Sequence, residues 1–112
     1  MLDINPFIEK LNKEIDDYNF GETPQELYEP LKYILSLGGK RIRPLLVLLG
    51  YRIFKDDWES ITKPSLAVEV FHNFSLMHDD IMDNAPLRRG KTTVHEKWDT
   101  NLAILSGDVM LV

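Results

Sequence analysis

The sequence predicts an all-α fold, and three observations lead there. Apolar residues recur at the three- and four-residue spacings that keep them on one face of a helix. Proline and glycine stand where helices start and stop. No segment alternates apolar and polar residues as a half-buried strand does.

The elements follow in order. Asn5-Pro6 starts a first helix, after which Phe7, Ile8, Leu11, Ile15 and Tyr18 share a face. Thr23-Pro24-Gln25-Glu26 reads as a capping box with proline in the first turn. The helix it opens carries Leu27, Leu31, Ile34 and Leu35 and stops at Gly38-Gly39. A third helix is expected from Pro44 to about Phe54. After an acidic turn and Pro64, a long one runs from Ser65 to about Asp83. Asn84 to Thr92 reads as loop, holding a proline, a glycine and three basic residues. Thr93 with Glu96 forms another capping box, opening helical sequence to the end. Phe71, Phe74, Leu76 and Met77 are expected in the core, while Trp58 and Trp98 carry no assigned role.

A chain of 112 residues suits one domain, and 44% hydrophobic residues allow a packed interior. A net charge of −5 argues against nucleic acid or an anionic membrane as main partner. It leaves room for an anionic substrate held by local cations and a metal. Without cysteine there is no disulfide, thiolate zinc site or cysteine nucleophile. Met1 to Lys10 shows no secretory pattern, and the longest apolar run, Leu45 to Leu49, cannot span a bilayer. A cytoplasmic protein is expected. From Asn101 the sequence is strongly apolar and ends at Val112 without glycine, proline or basic cap, as a fragment of a longer protein would.

The chemistry gathers at His78-Asp79-Asp80-Ile81-Met82-Asp83. On a helix Asp79 and Asp83 lie one above the other, so both carboxylates can reach a common point. Two carboxylates without sulfur or histidine beside them suit Mg²⁺, which takes its other ligands from water and substrate phosphates. Asp80 points about 100° away around the helix and is a weaker ligand candidate. Acidic residues at a helix C-terminus oppose the macrodipole, so a solvated acidic face is the plainer alternative only if nothing nearby answers the charge. Leu87-Arg88-Arg89-Gly90-Lys91 follows directly, with three cations. Arginine forks bind phosphate in bidentate fashion, although the same arginines could simply pair with the aspartates. A second basic group, Lys40-Arg41-Ile42-Arg43, precedes Pro44, where helix N–H groups also favour anions. The combination fits recognition of an Mg²⁺-diphosphate. His72 lies on the stripe of Asp79, and spacing alone leaves it a core residue. His78 could orient a carboxylate, and His95 has no partner to name.

Four motifs in order, GGKRIRP at 38–44, HNFSLMHDDIMD at 72–83, LRRGKTTVH at 87–95 and AILSGD at 103–108, give this chain its resemblance to the trans-polyprenyl diphosphate synthases. The resemblance implies the first helices of an isoprenoid synthase bundle, incomplete here: residues 1–112 would be one partial domain lacking the second aspartate-rich half. It implies Mg²⁺ on Asp79 and Asp83, with Arg88 on the allylic diphosphate and Arg89 on isopentenyl diphosphate. Lys40, Arg43 and His72 would complete the isopentenyl site, which reverses the reading of His72 from spacing. Phe74 and Ser75 would set product length; one bulky and one small residue imply a product of farnesyl to geranylgeranyl size. A homodimer is implied as well, and the 112-residue chain alone is expected to be inactive. Two rivals are a non-catalytic regulatory subunit of such a synthase and an all-α metal phosphohydrolase built on His78-Asp79.

Overall fold

The computed structural model describes residues 3–112; Met1 and Leu2, which open the stretch read as lacking a secretory signal, lie outside the described residues. The elements are α1 (Asn5–Asp17), α2 (Gln25–Ser36), α3 (Ile42–Arg52), α4 (Thr62–Met82), α5 (Val94–Lys97) and α6 (Thr100–Leu111). A 3-10 turn (Trp58–Ile61) precedes α4, and a hairpin of β1 (Leu87–Arg88) and β2 (Lys91–Thr92) precedes α5. The all-α expectation holds apart from this hairpin. The elements make two compact units: α1, α3, the 3-10 turn and α4 as far as Glu69, and then Asn19–Gly39 together with Val70–Val112.

In the first unit, α1 starts at Asn5-Pro6 and buries Phe7, Leu11 and Ile15, four residues apart, while Tyr18 ends the helix exposed. Trp58 finds its role here, with its ring 4.5 Å from that of Phe7. Helix α3 begins at Ile42, earlier than Pro44, because Arg41 takes a left-handed conformation and its carbonyl accepts from Leu45 N–H at 3.0 Å. Pro44 then sits in the first turn, where a missing N–H costs nothing. The same reason lets α4 begin at Thr62 rather than Ser65, with Pro64 inside its first turn. Leu48 and Leu66 complete this core. Each fully buried leucine contributes about 2 kcal/mol by removal of its apolar area from water.

In the second unit, α2 packs on α6, with Pro30, Leu31, Ile34 and Leu35 buried on α2 and Ala103, Ser106, Gly107 and Met110 buried on α6. Ser106 Oγ donates to Leu27 O at 2.7 Å, tying the two helices. Neither expected capping box forms. Helix α2 is preceded by Pro24 with no side-chain cap. The Thr93 hydroxyl donates instead to Ala85 O at 2.8 Å. Helical sequence is also interrupted at Trp98, and Asp99 caps α6 by accepting from Leu102 N–H at 2.7 Å. Met77 is buried at 1% exposure, Phe74 and Leu76 are half-buried, and Phe71, expected in the core, is 56% exposed. No described helix is long and apolar enough to cross a membrane.

Candidate diphosphate and metal site

The site begins with the way α4 ends. Asn84 takes a left-handed conformation (φ 52°), and its N–H bonds Ile81 O at 3.1 Å while Ala85 N–H bonds Asp80 O at 2.9 Å. This is the Schellman pattern, and asparagine is among the few residues other than glycine that suit it. Asp83 N–H still bonds Asp79 O at 2.9 Å, so helical geometry carries through both aspartates. Asp79 and Asp83 are exposed, one turn apart on the same stripe. Asp80 is 5% exposed and faces inward.

The hairpin answers Asp80. Leu87 pairs with Thr92 and Arg88 with Lys91, while Arg89 (φ 51°) and Gly90 (φ 76°) make the two-residue turn. Positive φ at both central positions is the turn whose twist suits a hairpin. Arg88 then grips Asp80 with two parallel bonds, Nε to Oδ2 at 2.8 Å and Nη2 to Oδ1 at 2.7 Å. Those bonds raise the Arg88 pKa; burial opposes the rise, and the charges of Asp80, Asp79 and Asp83 add to it. The alternative in which an arginine pairs with an aspartate is thus realised by Arg88 with Asp80. Two of the five guanidinium N–H groups are committed to it, and three are left to other acceptors. From α2, the Tyr33 hydroxyl donates to Thr92 O at 2.6 Å, and the Lys97 ammonium lies 4.2 Å from the Tyr33 ring centre. Trp98 adds an edge contact to the same ring at 5.3 Å.

The remaining predicted residues fall as follows. Arg89 is exposed at the hairpin tip and runs past Gly39, where an added Cβ would come within 3.0 Å of its Nη2. His72 is half-buried on α4, and its carbonyl accepts from Ser75 Oγ at 2.6 Å. The Phe74 ring lies between those of Phe71 and His78, at 5.6 and 4.7 Å. Lys40 and Arg43 belong to the first unit, and both are exposed.

His78 departs from its expected part. Its ring faces α6, with Nε2 3.2 Å from Ile104 O and 3.6 Å from Asp108 Oδ1, rather than orienting Asp79 or Asp83. Gly107 permits this: an added Cβ would lie 2.5 Å from His78 Nε2. His95 is 9% exposed, and its Nε2 lies 3.8 Å from Glu96 Oε1. Sequence reasoning gives no individual role to Asn84, Gly107 or Arg41. Asn84 carries a readable signal, asparagine directly after a helical run.

The donor set can be tested against Mg²⁺. Among the described residues no group of three or more His, Cys, Asp or Glu side chains is arranged to hold a metal. Two exposed carboxylates on one stripe therefore suit an ion that completes its shell with water and phosphate oxygens, the habit of Mg²⁺. They do not suit a closed protein cage.

One all-α unit thus carries an exposed aspartate stripe beside a cationic hairpin. Comparison with known proteins is more specific. The family model described as Polyprenyl synthetase matches residues 24–112. The short chain isoprenyl diphosphate synthase of Methanocaldococcus jannaschii is 44% identical over 103 residues, covering 92% of this chain and 31% of that protein. The geranylgeranyl diphosphate synthase of Sulfolobus acidocaldarius is 41% identical over 106 residues, 95% of this chain and 32% of its own length. A crystal structure of a geranylgeranyl pyrophosphate synthase superposes with a TM-score of 0.94 at 48% identity, covering 99% of this chain and 34% of that one. The geranylgeranyl pyrophosphate synthetase of Pyrococcus horikoshii gives 0.86 at 40% identity, with 96% and 33% covered. The chain belongs to the polyprenyl synthetase family. It spans about a third of the length of the curated relatives it matches.

Proposed function

We propose that this chain supplies the first aspartate-rich half of a trans-prenyltransferase, which joins isopentenyl diphosphate to an allylic diphosphate. The observation that carries the reading is the exposed Asp79–Asp83 stripe with Arg88 braced beside it by Asp80. Asp79 and Asp83 would hold Mg²⁺, which when bound neutralises negative charge on the departing diphosphate. Arg88 offers its three remaining N–H groups to the same phosphate oxygens and is already oriented, so no reorganisation accompanies the charge shift. Lys40, Arg43, His72 and Arg89 would bind isopentenyl diphosphate and hold it in register. The allylic C–O bond would ionise with diphosphate departing, the isopentenyl double bond would attack the carbocation to form the new C–C bond, and loss of a proton from the resulting cation would restore a double bond. Phe74 and Ser75 would limit the product to farnesyl or geranylgeranyl size, in keeping with the short chain isoprenyl and geranylgeranyl diphosphate synthases among its relatives. The homodimer implied by the resemblance is carried with this reading.

The test is elongation of radiolabelled isopentenyl diphosphate on allylic primers with Mg²⁺, by the full-length protein and by the 112-residue chain side by side. We expect products from the first and none from the second. A full-length protein that binds both diphosphates and never elongates them would point to the regulatory-subunit reading.

A further inference from the structure

Lys40, Arg41 and Arg43 lie within one short segment, and the fold treats them differently. Lys40 and Arg43 are exposed, whereas Arg41 is 5% exposed. Its Nη1 donates to Glu69 Oε1 at 2.8 Å and its Nε to Asn12 Oδ1 at 3.2 Å. Glu69 is itself 3% exposed. A buried ion pair is weak support for stability, because desolvation offsets its attraction, so this one asks for another reason. The backbone supplies it. Arg41 holds a left-handed conformation (φ 54°, ψ 35°), and its carbonyl opens α3 by accepting from Leu45. The residue is fixed by its side chain to α1 and α4 and by its carbonyl to α3. Lys40 is its neighbour, and Arg43 follows in the first turn of α3.

We propose that Arg41 is a positioning residue, held by Glu69 and Asn12, which orients Lys40 and Arg43 toward the diphosphate of isopentenyl diphosphate. This rests on the prenyl-transfer reading above. In the full-length protein, Arg41→Lys keeps the charge and loses the fork that serves Glu69 and Asn12 together. We expect KM for isopentenyl diphosphate to rise about tenfold, the equivalent of one charge-assisted hydrogen bond. KM for the allylic diphosphate should stay within about twofold. In a Lys40→Ala/Arg43→Ala background, Arg41→Lys should add almost nothing, since there is no cation left to orient. Asn12→Ala removes only the weaker of the two contacts, so it keeps the test alive if Arg41→Lys fails to fold; a rise of about threefold is expected. An unchanged isopentenyl KM, an equal rise for both substrates, or full additivity with Lys40→Ala/Arg43→Ala would overturn the proposal. If the wild type does not elongate, the prenyl-transfer reading falls and calorimetric binding of inorganic pyrophosphate decides the matter. About tenfold weaker binding by Arg41→Lys upholds the anchor; equal binding, or none by the wild type, overturns it.

Discussion

Replacing Asp80 with asparagine removes the carboxylate on which Arg88 rests. The side chains are 7% and 25% exposed, so the pair is largely but not wholly withdrawn from water. Stranding one member of a fully buried pair costs about 3–5 kcal/mol. Here a quarter of the Arg88 side chain still reaches solvent, and the amide oxygen left by Asp80→Asn would keep one of the two hydrogen bonds. We therefore expect a loss of about 2 kcal/mol, within the range for one charged hydrogen bond. The raised Arg88 pKa fixes the sign of any pH effect: its contribution is complete below the unfolded value and lost only as pH climbs through the folded one. Both values lie far above neutrality, so Arg88 adds no pH dependence near pH 7. Denaturant unfolding of the full-length protein reads the loss as a lower midpoint at unchanged slope. Asp80→Asn should also raise KM for the allylic diphosphate, since Arg88 loses its brace. Wild-type stability in the variant would refute the reasoning, and a gain would show that burying Asp80 costs more than the pair returns.

Other expectations can be checked on the same protein. Asp79→Asn and Asp83→Asn should each lower Mg²⁺-dependent elongation by at least about a thousandfold while leaving unfolding midpoints near wild type, because both side chains are exposed; full activity in either would take that residue off the metal. Gly107→Ala places a methyl 2.5 Å from His78 Nε2 and should cost about 1–3 kcal/mol. The cost should shrink in a His78→Ala background, and an undiminished cost would put the strain elsewhere. Phe74→Ala should lengthen the product by about one isoprene unit or more, read by mass spectrometry of the hydrolysed products. Tyr51 donates to Asp57 and lowers its pKa below the ordinary 3.8. That contribution is present above the unfolded value and lost as pH falls through the folded one. The stability gap between wild type and Tyr51→Phe should accordingly narrow below about pH 4.

Much of the fold is legible because burial leaves a period in the sequence. Phe7, Leu11 and Ile15 repeat every four residues and are buried, as are Leu31, Ile34 and Leu35. Asp79 and Asp83 are legible for the same reason, since helical spacing alone puts them on one stripe. What escapes is set by contacts between segments distant in sequence or too short to show a pattern. Thr93 has the spacing of a capping box, but its hydroxyl is taken by Ala85 O across the hairpin. Two-residue strands have no alternation to read. Asp80 reads as a lesser ligand until Arg88, eight residues on, claims both its oxygens. Arg41 reads as one more cation in a basic loop, and only the fold turns it inward onto Glu69.

The hairpin also bears on what variation this protein can tolerate. Surface loops ordinarily accept insertions and deletions with little harm. This one should not. Arg88 and Lys91 are direct cross-strand partners around a two-residue turn, and successive residues of a strand point to opposite faces. Adding or removing a single residue between Pro86 and Arg88 would turn the guanidinium to the far side of the ribbon and leave Asp80 buried without its counter-charge. Residue identity at the exposed Lys91 can drift at little cost to the fold. Segment length before the turn cannot, and families of natural variants should show substitutions there well before they show gaps.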